Sequence, residues 1–216
     1  KIGGVTTSRL GEIRNNTKGT PMKIIRYNTC DDIDVMFLDE HNYVSKHNIY
    51  GNFKSGAIKN PYDKSIYGIG YLGDGNNQTK INGKRVRAYN VWHEMVARCH
   101  EESRSFKYGS YYGICSVCQE WLCYNTFADW YEKNKYECEG RLHLDKDILY
   151  PGNKIYSPYT CILVPQYINA LFMNKKKLIS IIASAVVVLA LASVGTWMFL
   201  QRSAEETGGN RMERDY

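Results

Sequence analysis

The sequence predicts an α+β protein in four parts: a small N-terminal β-barrel, a helical middle, a C-terminal ββα unit and a single transmembrane helix. Three observations predict it. Short apolar runs bounded by turn residues fill the first 60 positions, with the partial period-two alternation of half-buried strands. From about Tyr89, apolar residues recur at helical spacing. Leu178 to Leu200 is 23 residues long and carries no charge. At a rise of about 1.5 Å per residue a helix of that length reaches roughly 34 Å, enough for a hydrocarbon core of about 30 Å. The expected divisions are a barrel-like domain over 1–60, a Gly/Asn-rich basic linker over 61–88, an α+β module over 89–173, the span over 178–200 and a polar tail over 201–216.

Each element has its own signal. Met22–Asn28 and Asp32–Glu40 read as strands, with Val35 and Phe37 alternating and a further strand near Asn42–His47. Thr17-Lys18-Gly19 and Cys30-Asp31-Asp32 supply turns. Gly68, Gly70 and Gly73 match G-x-G-x-x-G, but Asp74-Gly75-Asn76-Asn77 follows where a dinucleotide-binding loop needs a helix to open. One helix is expected to about His100 and a second over Val117–Glu132, with their tryptophans in the core. Leu142–Leu149 reads as a strand, Pro151-Gly152-Asn153 as a loop, Cys161–Val164 as a second strand and Gln166–Met173 as a helix opened by Pro165. Strand, loop, strand, helix is the outline of a ββα-metal nuclease unit.

Charge and composition narrow the partners. The net charge is +6 with a pI of about 8.8, and the chain has 18 tyrosines and 4 tryptophans. A mildly basic, aromatic-rich chain is compatible with nucleic acid, where cations meet phosphates and rings stack on bases. Seven cysteines, an odd number, suit a reduced compartment. Cys115 and Cys118 have the spacing of a zinc half-site, but without a clear second pair they fall short of a zinc site.

Lys175, Lys176 and Lys177 precede the apolar segment, and Arg202, Glu205 and Glu206 follow it. The positive-inside rule then puts the N-terminal side in the cytoplasm, tethered to an inner membrane. Met173, the three lysines, the apolar run and Ala190-Leu191-Ala192 also fit a secretory signal peptide. A gene-boundary fusion therefore stands beside the anchor as a reading of this segment.

Several motifs together resemble a known group. They are Tyr67-Gly-Ile-Gly70, Trp92-x-x-Met95-x-x-Arg98-Cys99, Cys118-Gln-Glu-Trp121 with Phe127 and Trp130, Leu144-Asp-Lys-Asp-Ile148, Gly152-Asn-Lys154-x-Tyr156-Ser157-Pro158, and Cys161-x-x-Val164-Pro165-x-x-Ile168-Asn169. Over residues 10–173 the chain resembles bacteriophage and prophage proteins described as HNH-endonuclease-like or DNA-binding. The resemblance implies a phage or prophage origin, a duplex DNA partner and, in an active member, cleavage assisted by one divalent metal ion, Mg or Mn. It does not extend to the apolar segment.

In such a site a histidine on the first strand activates water, and a neighbouring acid and a helix residue hold the metal. The resemblance assigns catalytic roles to His143, Asp145 and Asp147, and metal ligation to Asp145, Asp147 and Asn169. Strand alternation would put His143, Asp145 and Asp147 on one face and Lys146 on the other. The family pattern carries its base histidine beside an aspartate, whereas this strand reads Asp145-Lys146-Asp147 with His143 two residues earlier. A metal-dependent nuclease and a non-cleaving DNA binder both remain open, and a membrane-tethered interaction protein is a third reading. For DNA contact the expected residues are Lys84, Arg85 and Arg87, in a basic run that begins at Lys80, then Arg98, Lys146, Asn153 and Lys154.

Overall fold

A computed structural model describes residues 9–104, 106, 111–172, 174 and 179. The N-terminal part is an antiparallel meander of β1 (Ile13–Asn15), β2 (Pro21–Thr29), β3 (Asp32–Phe37) and β4 (Val44–Asn48), in the order β1-β2-β3-β4. Alternation along β2 and β3 sends Met22, Ile24, Ile33, Val35 and Phe37 to one face, where they are fully buried. The helix α1 (Tyr50–Ser55) brings Phe53 into the same cluster, and Ile58 completes it.

The expected barrel is therefore corrected to an open sheet. β1 and β4 are both edges and do not pair with each other. One apolar face capped by one short helix already buries the apolar residues, so closure has nothing further to cover. Both edge strands are short, and short edge strands limit unwanted pairing without a closed ring.

The stretch expected as a linker contains structure. β5 (Lys80–Ile81) and β6 (Lys84–Arg85) form an antiparallel hairpin whose turn is Asn82-Gly83. Both turn residues have positive φ, 49° and 76°, the conformation of the tight turn that matches strand twist and favours Asn-Gly. Just before it, Ile66 and Gly70 form an isolated bridge, and no helix opens after Gly73. The G-x-G-x-x-G run is thus a loop.

Two helices form the centre, α2 (Arg87–His100) and α3 (Tyr124–Asn134). Ala88, Val91, Trp92, Met95, Val96 and Cys99 make the buried stripe of α2. The Trp92 ring lies 5.5 Å from Tyr124, and its Nε1 donates to the Trp121 carbonyl at 2.7 Å. The second expected helix starts later than its sequence suggested. Ser116–Val117 is a strand, β7, and Gln119–Leu122 is a 3-10 turn. Cys118 and Cys123 have extended backbones on either side of that turn, because Val117 pairs in parallel with Tyr156 of β9 (Ile155–Tyr156) and Tyr71 bridges Cys123.

β8 (Leu142–Asp145) and β10 (Ile162–Pro165) form a two-stranded sheet, and residues 166–172 are helical. β8 stops at Asp145 rather than Leu149, because Asp145 Oδ1 accepts the N–H groups of Asp147 and Ile148, both at 2.7 Å, and turns the chain. The chain divides into two compact units, Lys1–Glu137 with Leu144–Leu163, and Cys138–His143 with Val164–Tyr216. A transmembrane helix is expected over 178–200. Among the described residues no helix is long and apolar enough to cross a membrane, and apart from Ile179 that segment lies outside the described residues.

Candidate nucleic-acid interface

The hairpin β5–β6 is an exposed basic feature. All six residues from Lys80 to Arg85 are exposed. The register places Lys80 opposite Arg85 and Ile81 opposite Lys84. Directly opposed like charges are destabilising in a strand pair. Among the described residues no carboxylate pairs with Lys80, Lys84 or Arg85. The Arg85 guanidinium instead lies 5.3 Å from the Tyr89 ring centroid on the first turn of α2. Ile81 is 56% exposed. Arg87, next along the chain, is also exposed.

The remaining expected DNA contacts separate by environment. Lys154 is exposed, and its carbonyl accepts from Ser116 N–H at 2.9 Å. Arg98 is half-buried, donates Nε–H to the Glu94 carbonyl at 3.1 Å, and sits over the rings of Tyr111 and Tyr156. Asn153 closes the loop after β8: its Nδ2 donates to the carbonyls of Lys146 at 3.0 Å and Ile155 at 2.7 Å. Lys146 is 4% exposed. Its ammonium donates to Asp147 Oδ2 at 2.8 Å and to the Asn153 carbonyl at 2.7 Å, and it lies 5.5 Å from Tyr111 and 5.8 Å from Tyr156. Burial works against its charge, yet the Asp147 carboxylate outweighs burial and holds the amine above its ordinary pKa. Arg98, Lys146 and Asn153 thus hold the fold together.

The expected catalytic strand is laid out differently from its alternation. Because β8 ends at Asp145, Asp147 belongs to the following bend, and Lys146 shares its side by pairing with it. Asp145 spends Oδ1 on the turn. His143 is half-buried on β8. Asp145 and Asp147 belong to the first unit, and His143 and Asn169 to the second. Asn169 Oδ1 is buried, and among the described residues no donor reaches it. No third Cys, His, Asp or Glu joins Cys115 and Cys118 among the described residues. Burial first, then a hydrogen bond with Glu120, pushes the Cys118 thiol up to about 11.

One cluster escaped the sequence reading. Asp32, Asp34 and His47 bring their ligand atoms within 4.8 Å of one another. A cation is already there: Arg26 bonds Asp34 at 2.6 and 2.8 Å and Asp32 at 2.7 and 3.0 Å. His47 Nδ1 lies 2.9 Å from Asp32 Oδ1, and the His47 N–H donates to Asp34. The group therefore clasps β2, β3 and β4 instead of a metal. Its signal was the Arg26 to Asp34 cross-strand pairing, which becomes visible only once the register with its bulges is known.

The Arg26 guanidinium holds both carboxyls below their usual range, Asp34 at about 2. A depressed carboxyl pKa stabilises the fold above the unfolded pKa, near 4, and that contribution is lost as pH falls through the folded value. Thermal melts from about pH 5 to pH 2 should therefore show an acid-dependent loss of stability that is shallower in Arg26→Gln. An unchanged acid limb in that variant would remove the clasp from the explanation.

No family model matches the sequence, and comparison with curated proteins and with solved structures found no match either.

Proposed function

We propose that the protein is a duplex DNA-binding module of the kind found in phage and prophage HNH-endonuclease-like proteins, and that it holds DNA through the β5–β6 ribbon. The observation that carries this reading is the ribbon itself: Lys80, Lys84 and Arg85 exposed on a rigid Asn-Gly hairpin, two of them directly opposed, none paired with an acid among the described residues. A stability cost kept at an exposed site is repaid when an anion binds. A two-stranded ribbon also fits the major groove of B-DNA, about 12 Å wide. Lys154 and Arg87 add exposed positive charge.

A second reading, cleavage with a bound Mg or Mn ion, is favoured by one observation, the buried Asn169 Oδ1 that no donor among the described residues reaches. In that reading the amide oxygen would ligate a cation or its water. The commitment of Asp145 to its turn and of Asp147 to Lys146 favours binding over cutting.

The test measures both at once. The full chain, kept in solution with a mild detergent, is titrated onto a labelled duplex in EDTA and in Mg²⁺ or Mn²⁺, and the DNA is then run on a denaturing gel. Binding in EDTA with intact strands in every metal is the expected result. Metal-dependent nicking that Asn169→Ala abolishes would move the function to the second reading. Absence of a complex at about 50 mM salt, where phosphate contacts are strongest, would contradict both.

A further inference from the structure

The segment that leads into the ribbon carries three amide side chains in a row, Asn76, Asn77 and Gln78. The middle one is locked. Asn77 N–H donates to Asn125 Oδ1 at 2.9 Å, and its Nδ2 donates to Asp129 Oδ1 at 2.8 Å. Tyr124 Oη donates to the Gln78 carbonyl at 2.9 Å. Asn125 Nδ2 donates to the Leu72 carbonyl at 2.8 Å and the Gly73 carbonyl at 3.3 Å. The chain runs so close to Asn125 that a Cβ on Gly75 would meet its side chain at 2.5 Å, so only glycine fits there. The strand ladder continues from this frame, with Val86 N–H donating to the Thr79 carbonyl at 3.1 Å. α3 thus fixes the backbone of the whole segment.

Its two outer amides are different. Asn76 and Gln78 are exposed, and among the described residues neither side-chain amide has a hydrogen-bond partner. Both line an open cavity of about 570 Å³, together with Ile81, Arg87 and Tyr131. Amides with a free donor and acceptor, on a backbone pinned by α3, lose little entropy on engaging a planar edge. Among base edges, adenine in the major groove offers N7 as acceptor and N6–H as donor, the complement of a carboxamide.

We propose that Asn76 and Gln78 read adenine edges in the major groove while the ribbon's cations hold the flanking phosphates. This rests on the DNA-binding reading above. The cations supply affinity without sequence information, and the amides supply the preference.

The test uses the full chain in competition experiments at about 150 mM salt, with three probes: an A·T-rich duplex, a G·C-rich duplex, and the A·T-rich duplex with every adenine replaced by 7-deazaadenine, which lacks the N7 acceptor. The wild type should prefer the A·T-rich duplex on the order of tenfold, the discrimination expected of one good bidentate contact. The deaza duplex should erase that preference. Asn76→Ala/Gln78→Ala should bind all three duplexes within about twofold of the wild type's affinity for the G·C-rich one. A preference that survives deaza substitution, or one shared by the double variant, overturns this inference and leaves DNA binding by the ribbon standing. Binding indifferent to alanine at Lys80, Lys84 and Arg85 overturns the inference and the ribbon as the DNA-binding site together.

Discussion

Alanine at Lys80, Lys84 and Arg85 together should weaken binding to duplex DNA on the order of a hundredfold at near-physiological salt. Each exposed charge-assisted phosphate contact contributes about 1 kcal/mol, and about 3 kcal/mol corresponds to roughly two decades in affinity. The loss should be uniform across sequences, since phosphates carry no sequence information. The same substitutions remove the Lys80–Arg85 like-charge opposition, so the fold should keep its stability or gain a few tenths of a kcal/mol. Binding lost while the melting temperature holds or rises identifies residues kept for a partner. A parallel fall in both would instead make the hairpin a structural element. Fluorescence anisotropy with a labelled duplex, beside calorimetric melts of the same samples, measures the two quantities.

The second large effect falls on stability. Lys146→Ala should destabilise the fold by about 2–4 kcal/mol, somewhat below the usual range for stripping one partner from a buried pair because Asp147 keeps 21% side-chain exposure. It empties the space beside the rings of Tyr111 and Tyr156 and takes the donor from the Asn153 carbonyl and the Asp147 carboxylate. For a chain of this size that is a fall in Tm of roughly 5–15 °C. Lys146→Met with Asp147→Asn should recover much of the loss, since the stem volume returns and no buried charge is left alone. Lys146 was expected from sequence to contact DNA. A Lys146→Ala protein that melts normally but binds DNA poorly would restore that role, and one that melts early but binds with wild-type affinity while folded would confirm the structural one.

The strands β2 and β3 and the start of α2 were legible because apolar periodicity is a local property: Ile33, Val35 and Phe37 are two apart, and Val91 and Met95 lie a helical turn apart. What α1 does was not legible. Tyr50–Ser55 is too short to show a period, yet its Phe53 caps the sheet and makes a barrel unnecessary. The hairpin β5–β6 was missed although Asn82-Gly83 is the strongest short hairpin signal. Its flanks, Lys-Ile and Lys-Arg, lack the apolar alternation that normally accompanies the turn. That absence is itself what a ribbon held away from the core looks like.

The candidate site divides in the same way. Residue type marked Lys84, Arg85, Arg87 and Lys154 as phosphate contacts, and all four are exposed. It could not separate them from Arg98 and Lys146, because their places beside Tyr111 and Tyr156 depend on β7 and β9 pairing in parallel across a long sequence gap. Strand alternation over Asp145 to Asp147 failed for a local reason, the Asp145 turn. An Asp at the end of a strand can accept from the backbone two and three residues on, and when it does the period ends there. The role given to Asn76 and Gln78 rests on Asn125 pinning the chain between them, a contact 48 residues distant.

The most direct measurement is the salt dependence of duplex binding by the intact chain. Each phosphate neutralised on B-DNA contributes about −0.9 to the slope of log affinity against log salt. With Lys80, Lys84 and Arg85 seated on the backbone, a titration between about 50 and 200 mM salt should give a slope near −3 or steeper, and the triple alanine variant should be shallower by close to 3. A wild-type slope near zero, or equal slopes for the two proteins, would contradict a DNA-binding ribbon.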